Sequence, residues 1–153
     1  MIPIILTQAE MWTACLVGLT RRLVSMRKGL DKYKHTPFSN FQTDIEGAIA
    51  EQCFAKYTRQ YWSCSVNSFK EPDVGEWQVR STTYPSGHLI VRPNDHDHYR
   101  VALLTTEGHG AQLHGWIETV DAKQDCYWRP EHDSWWVPQS ALHAFECEPE
   151  YAD

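Results

Sequence analysis

Four side chains in the middle of the sequence have types and spacing that suit a divalent cation. Glu51 lies on a segment with helical periodicity. Asp73 follows Pro72 and precedes Val74-Gly75, and four residues separate it from Gln78, with Arg80 two further on. If Gly75 turns the chain back as a hairpin, Asp73 faces the strand carrying Gln78, and Gln78 and Arg80 share one face of that strand. Two carboxylates, an amide oxygen and a main-chain carbonyl then converge as the oxygen shell Mg²⁺ prefers, completed by waters and a phosphate. Such an ion offsets charge that develops on a phosphate and acidifies its own water. Arg80 beside it can hold the phosphate or orient the attacking water. Glu76 is the alternative ligand, provided the turn ends before it.

The elements that must position these groups read as follows. Thr7 and Glu10 form a capping box, and Trp12, Leu16, Leu19, Leu23, Met26 and Leu30 then recur at steps of four and three. That is one stripe along a helix of about six turns, expected to pack on a sheet; as a heptad seam it would instead make a homodimer. The other face carries Arg21, Arg22, Arg27 and Lys28, with Lys32 and Lys34 beyond, so six of the 14 basic residues fall within 14 positions. These four, with Arg92, are the candidate phosphate contacts. A loop is expected over 34–40. A second helix is expected from Phe41 or Thr43 to about Tyr61, with Ile45, Ile49, Cys53 and Tyr57 on one line and Gly47, Glu51 and Ala55 on the next. Gly47 suggests close packing there.

Beyond Trp62 the period shortens toward two. Strands are expected at 64–69, 77–82, 88–92, 99–105, 112–118 and 135–137, mostly joined as hairpins, with irregular or briefly helical chain over 119–130 and a turn at 139–142. Helices first and strands after make an α+β fold: a central mixed sheet flanked by helices. The 153 residues suit one domain, divided into an N-terminal helix and loop (1–40), a core (41–143) and an acidic tail (144–153).

The motifs Gly47 to Glu51, Asp73-Val74-Gly75, Val79-Arg80, Leu89 to Asp95, Gly115-Trp116-Ile117 and Val137 to Leu142 together resemble the PD-(D/E)XK nuclease superfamily, and within it small phage and prophage proteins. The resemblance spans roughly residues 45–142. It implies a restriction-endonuclease-like core and a DNA phosphodiesterase in which Glu51, Asp73 and Gln78 hold Mg²⁺ or Mn²⁺ and Arg80 stabilises the phosphate. Gln78 stands where most members carry Glu or Asp, and Arg80 where most carry Lys. Arginine keeps its charge but cannot give up a proton, so another group must act as base. A non-catalytic binding or assembly protein on the same fold is the rival reading.

Composition constrains the rest. The formal net charge of −6 excludes a protein that coats nucleic acid by bulk charge. Five cysteines without a CxxC pair suggest neither a disulfide framework nor a zinc ribbon, but idle thiols. Residues 1–6 are too short for a signal peptide and no run is long enough to span a membrane. A cytoplasmic protein is expected, in the host bacterial cytoplasm if phage encoded. His96, Asp97 and His98, with Asp95, His109 and His114, are a rival metal set, and His88 a candidate assistant across its hairpin. Trp135-Trp136 and Tyr127-Trp128 could stack bases.

Overall fold

The structure is a computed structural model that describes residues 1–30, 37–66, 68 and 71–146. It is an α+β fold about a mixed sheet. Strand β1 (Ile2–Ile5) leads to helix α1 (Gln8–Lys28), and helix α2 (Pro37–Thr58) follows. Strands β2 (Trp77–Thr82), β3 (Leu89–Val91), β4 (Arg100–Glu107) and β5 (Gly110–Glu118) come next. A short helix α3 (Thr119–Ala122) and strands β6 (Trp128–Arg129) and β7 (Ser134–Val137) follow, with 3-10 turns at Asp125–Tyr127, Pro130–His132 and Gln139–Ala141. The main sheet has the order β1-β5-β4-β2, with β2 parallel to β4 and the other pairs antiparallel. Strands β3, β7 and β6 form a second, antiparallel sheet.

This connectivity departs from the expected run of hairpins. Strand β3 does not return beside β2. It crosses to the second sheet, and β4 comes back parallel to β2. The cause lies in β4, where Val101-Ala102-Leu103-Leu104 is apolar on both faces and therefore needs cover on both. Ala102 and Leu104 pack with Leu113, Ile4, Val79 and the helix residues Ile49, Cys53 and Phe54. Val101 and Leu103 pack on the other side with Ile117, Leu89, Val91 and Val137. The helices thus cover one face and the small sheet the other.

Several local expectations hold. Thr7 Oγ1 accepts the Glu10 N–H at 3.3 Å and Glu10 Oε2 accepts the Thr7 N–H at 2.6 Å, which closes the capping box. Gly29 ends α1 in the left-handed conformation. Ile49, Cys53 and Tyr57 are buried along α2. Others do not hold. Helix α2 starts at Pro37, inside the expected loop, in agreement with proline's preference for a first helical position. Strand β1 was not anticipated, so the N-terminal section contributes to the sheet as well as to the helix layer. Among the described residues of 64–69 there is no strand; positions 67, 69 and 70, like 31–36 and the tail from 147, lie outside the described residues. Cys15, Cys53, Cys64 and Cys126 are free thiols, and burial pushes the Cys53 thiol up to about 12.

The largest departure concerns α1. Its stripe of large apolar residues does not face the sheet: Trp12 is 65% and Leu16 63% exposed, and Leu19, Leu23, Met26 and Leu30 are exposed as well. The face that packs on α2 carries Ala14, Gly18 and Arg22 instead. Gly18 explains the choice, because a Cβ there would stand 2.5 Å from Ile45 Cα and 2.8 Å from the Asp44 carbonyl oxygen. The backbones meet where the side chain is absent, which brings the helices closer than a leucine face allows. The close packing expected at Gly47 is absent, since nothing lies within 4 Å of the position its Cβ would take.

The two glycines should respond to alanine with opposite signs. Gly18→Ala forces the helix pair apart and should destabilise by about 2 kcal/mol despite better helix propensity. Gly47→Ala enters open space inside a helix and should stabilise by up to ~1 kcal/mol. Chemical denaturation midpoints of both variants measure this. A Gly18→Ala variant as stable as the native chain would contradict the inter-helix contact, and a destabilised Gly47→Ala would contradict the open space at that position.

Candidate functional site

A cavity of about 300 Å³ opens at the β2 edge of the main sheet. Its lining includes Arg21 and Asp44 from the helix pair, Glu51 from α2, Asp73 from the bend, Gln78 and Arg80 from β2, and Arg92, Asp95, His96 and Tyr99 from the loop after β3. The four residues singled out by spacing therefore meet in one place.

The bend forms as the sequence suggested. Val74 and Trp77 bridge across Gly75, which takes φ +58°, a conformation suited to glycine. The Asp73 N–H donates to the Trp77 carbonyl at 2.9 Å, and the Val79 N–H donates to Asp73 Oδ2 at 2.7 Å. Asp73 is thus fixed against the strand that carries Gln78 and Arg80. Gln78 Nε2 donates to the Glu71 carbonyl at 3.2 Å. Glu76 is outside the cavity: its side chain is exposed and lies 3.7 Å from Arg100.

Two guanidinium–carboxylate clamps frame Asp73. Arg21 donates from both terminal nitrogens to the two oxygens of Glu51, each at 2.7 Å, and from Nε to the Ser65 carbonyl at 2.8 Å. Trp62 Nε1–H adds a further bond to Glu51 Oε2 at 2.9 Å. Burial opposes the Arg21 charge, but the Glu51 carboxylate more than offsets it and holds the guanidinium above its ordinary pKa. Arg80 Nη2 donates to both Asp95 oxygens at 2.9 Å, and Asp95 Oδ2 also accepts the Arg92 N–H at 2.9 Å. The two-nitrogen Arg21–Glu51 pair holds both partners in defined orientations, while Arg80 shares one nitrogen between the two Asp95 oxygens.

Asp73 is the perturbed group. Burial, and next the nearby Glu51 charge, push its carboxyl up to about 6, against the opposing pull of the Val79 N–H, Arg80 and Arg21. Its proton therefore comes and goes near neutrality.

The four basic residues of α1 expected to contact phosphate together do not share one exposed face. Arg21 reaches into the cavity, and Arg22 is 6% exposed, buried beside Asp44 with 3.4 Å between Nη1 and Oδ2. Arg27 and Lys28 are exposed, as is Arg92 at the cavity mouth. The histidines do not assemble a metal site either: among the described residues no three His, Cys, Asp or Glu side chains converge as a ligand set. His114 instead meets Thr105 Oγ1 at 2.6 Å. A second cavity of about 550 Å³ shares Arg80 and Arg92 with the first and is lined further by Tyr84, His88 and Trp136. Trp128 and Trp135 pack ring to ring at 4.6 Å, and Trp136 stacks on His132 at the same distance.

Spacing alone did not reveal Trp62, Ser65 or the pairing of Arg21 with Glu51. Asp95 carried a weak signal, as an Asp three residues after the end of a strand, where its side chain can accept a local backbone N–H.

Asp73 also sets a pH dependence. An Asp whose folded pKa lies above its ordinary value binds its proton more tightly in the folded chain than in the unfolded one. Stability then falls as pH rises from the ordinary value of 3.8 to about 6, and the cost is complete above that. Asp73→Asn keeps an oxygen for the Val79 N–H and removes the charge. Its melting temperature relative to the native chain should therefore rise between about pH 4 and pH 7. A difference independent of pH would show that neither burial nor Glu51 acts on Asp73.

No protein-family model, curated protein or solved structure matches the chain, so its function must be read from the side chains of this cavity.

Proposed function

We propose that the cavity is a divalent-metal-dependent phosphodiesterase site acting on DNA. The observation that carries this reading is the placement of Glu51 and Asp73 from separate elements in one arginine-lined cavity, where Glu51 helps to raise the Asp73 pKa. Two carboxylates held together at that electrostatic cost suit a cation that neutralises both. The donors are oxygens, from Glu51, Asp73 and Gln78, which fits Mg²⁺ or Mn²⁺ better than a softer metal. The bound ion would supply Lewis acidity toward a phosphate oxygen and acidify a water.

The chain's own residues supply the rest. Arg80, held by Asp95, presents a fixed positive charge to the phosphate. Arg92 adds a second at the mouth. Arg80 cannot accept a proton. His96, in the same cavity, is a side chain of the type that can. Arg21 has a double position: it neutralises Glu51 as the structure stands, and Glu51 can hold an ion only by giving up part of that clamp.

That clamp favours the second reading. Both Glu51 oxygens accept from Arg21, and one also from Trp62, as in a site where arginine has taken the place of the metal. A binding or assembly protein would then use the arginines for phosphate without cleaving it.

Purified protein incubated with linear, circular and single-stranded DNA in Mg²⁺, Mn²⁺ or EDTA separates the two. The nuclease reading expects cleavage in metal, none in EDTA, and none from Asp73→Ala, whose melting temperature in EDTA should stay within a few degrees of the native chain's. Titration calorimetry with Mn²⁺ should show no binding to Asp73→Ala and tighter binding to Gln78→Glu, which adds a charge. DNA binding that persists in EDTA, with no cleavage and identical Mn²⁺ isotherms, would establish the binding reading.

A further inference from the structure

The outer face of α1 takes no part in the cavity. Trp12, Leu16, Leu19, Leu23, Met26 and Leu30 are all exposed, and the steps between them alternate four, three, four, three, four. A core-facing helix tolerates many patterns; from Trp12 to Met26, within the helix, four steps cover 14 residues, a mean of 3.5, which is the pattern that keeps a seam in register with another helix. Side chains holding on the order of 200 Å² each, about half exposed, amount to roughly 600 Å² of apolar surface. That reaches the top of the range for the largest patch on a typical monomer and comes near the ~800 Å² that each partner buries in a standard interface.

We propose that this face pairs with α1 of a second copy of the chain, antiparallel, about a two-fold axis that passes between Leu19 and Leu23. The stripe is complementary to itself in that arrangement. Inverting it about residue 21 sets Leu16 against Met26 and Leu19 against Leu23 along the helix, and Trp12 against Leu30, which follows the Gly29 cap, so every layer is apolar. Charge chooses the direction. Arg27 and Lys28 close the helix, while Glu10 opens it. A parallel pair would bring the basic ends of both copies together, whereas the antiparallel pair separates them and also opposes the helix dipoles. The seam is flanked by Thr13, Cys15 and Thr20, small side chains that permit close approach. A lipid surface is the poorer fit. An interfacial helix lines its polar face with free Lys and Arg, but Arg21 and Arg22 are committed to Glu51 and Asp44, and the net charge of −6 opposes anionic lipid.

Sedimentation velocity on the full chain tests this across the micromolar range. The expected result is a species of twice the monomer mass. Leu19→Glu combined with Leu23→Glu sets carboxylates against each other at the centre of the seam and should yield a monomer. Both positions are exposed, so circular dichroism and the melting temperature should show a folded chain. A benzophenone amino acid at Thr13 of the otherwise native chain reports direction without relying on that variant. Cross-links to residues 26–30 of the other copy are expected, and cross-links to its residues 9–16 would overturn the antiparallel arrangement. A native chain that stays monomeric at every concentration overturns the pairing altogether. So does a monomer that floats with phosphatidylserine vesicles, which would assign the face to lipid.

Discussion

The Arg21–Glu51 pair is the contact around which the site is arranged. It joins α1 to α2 through two hydrogen bonds of 2.7 Å, and it draws in the irregular chain after α2 through the Ser65 carbonyl and the Trp62 indole. A carboxylate only 7% exposed needs a partner, because an unpaired buried charge costs several kcal/mol. Arginine meets that need in a way lysine would not, with two nitrogens for the carboxylate and a third for a backbone oxygen. The same pair sets the field that Asp73 feels from one side, as the Arg80–Asp95 pair does from the other. A disturbance at Arg21 would therefore reach the helix interface and the titration of Asp73 together.

Sheet topology provides the second constraint. The cavity lies at β2, the edge strand, which is parallel to its single neighbour and so must be reached by a crossover. That crossover carries β3 and then the loop with Arg92, Asp95, His96 and Tyr99 back toward the start of β4. Residues far apart along the chain thereby arrive at one sheet edge without a dedicated structural element, and the cavity-lining loop is a by-product of covering the second face of β4.

Local signals in the sequence carried much of this structure. The capping box, the two long helices, the turn at Gly75, most of the strands and the grouping of Asp73, Gln78 and Arg80 could be read from residue types a few positions apart, whereas Glu51 joined that group only through the wider resemblance. Pairing across long separations could not. Nothing local tells β2 to lie parallel to β4, although the unbroken apolar run 101–104 marks β4 as a strand covered on both sides. The stripe of α1 misled for a related reason. Periodicity shows which face is apolar but not what lies against it, and the contact with α2 was decided by Gly18, a residue without a side chain. The role of Arg21 was hidden likewise, because a basic residue on a helix reads as solvated until its carboxylate partner 30 positions away is known.

The pairing of β1 with β5 bears on how the chain comes into being. Ile2 lies opposite Leu113, so β1 must wait until more than 100 further residues have been made before it can join its sheet partner. Meanwhile the helix hairpin, built from neighbouring segments, can form early. During synthesis that hairpin carries apolar surface on two sides: the α1 stripe and the α2 line that will later cover the sheet. Until β5 arrives the α2 line has no sheet to cover, and uncovered apolar surface of this kind is where an unfinished chain is most prone to misassembly.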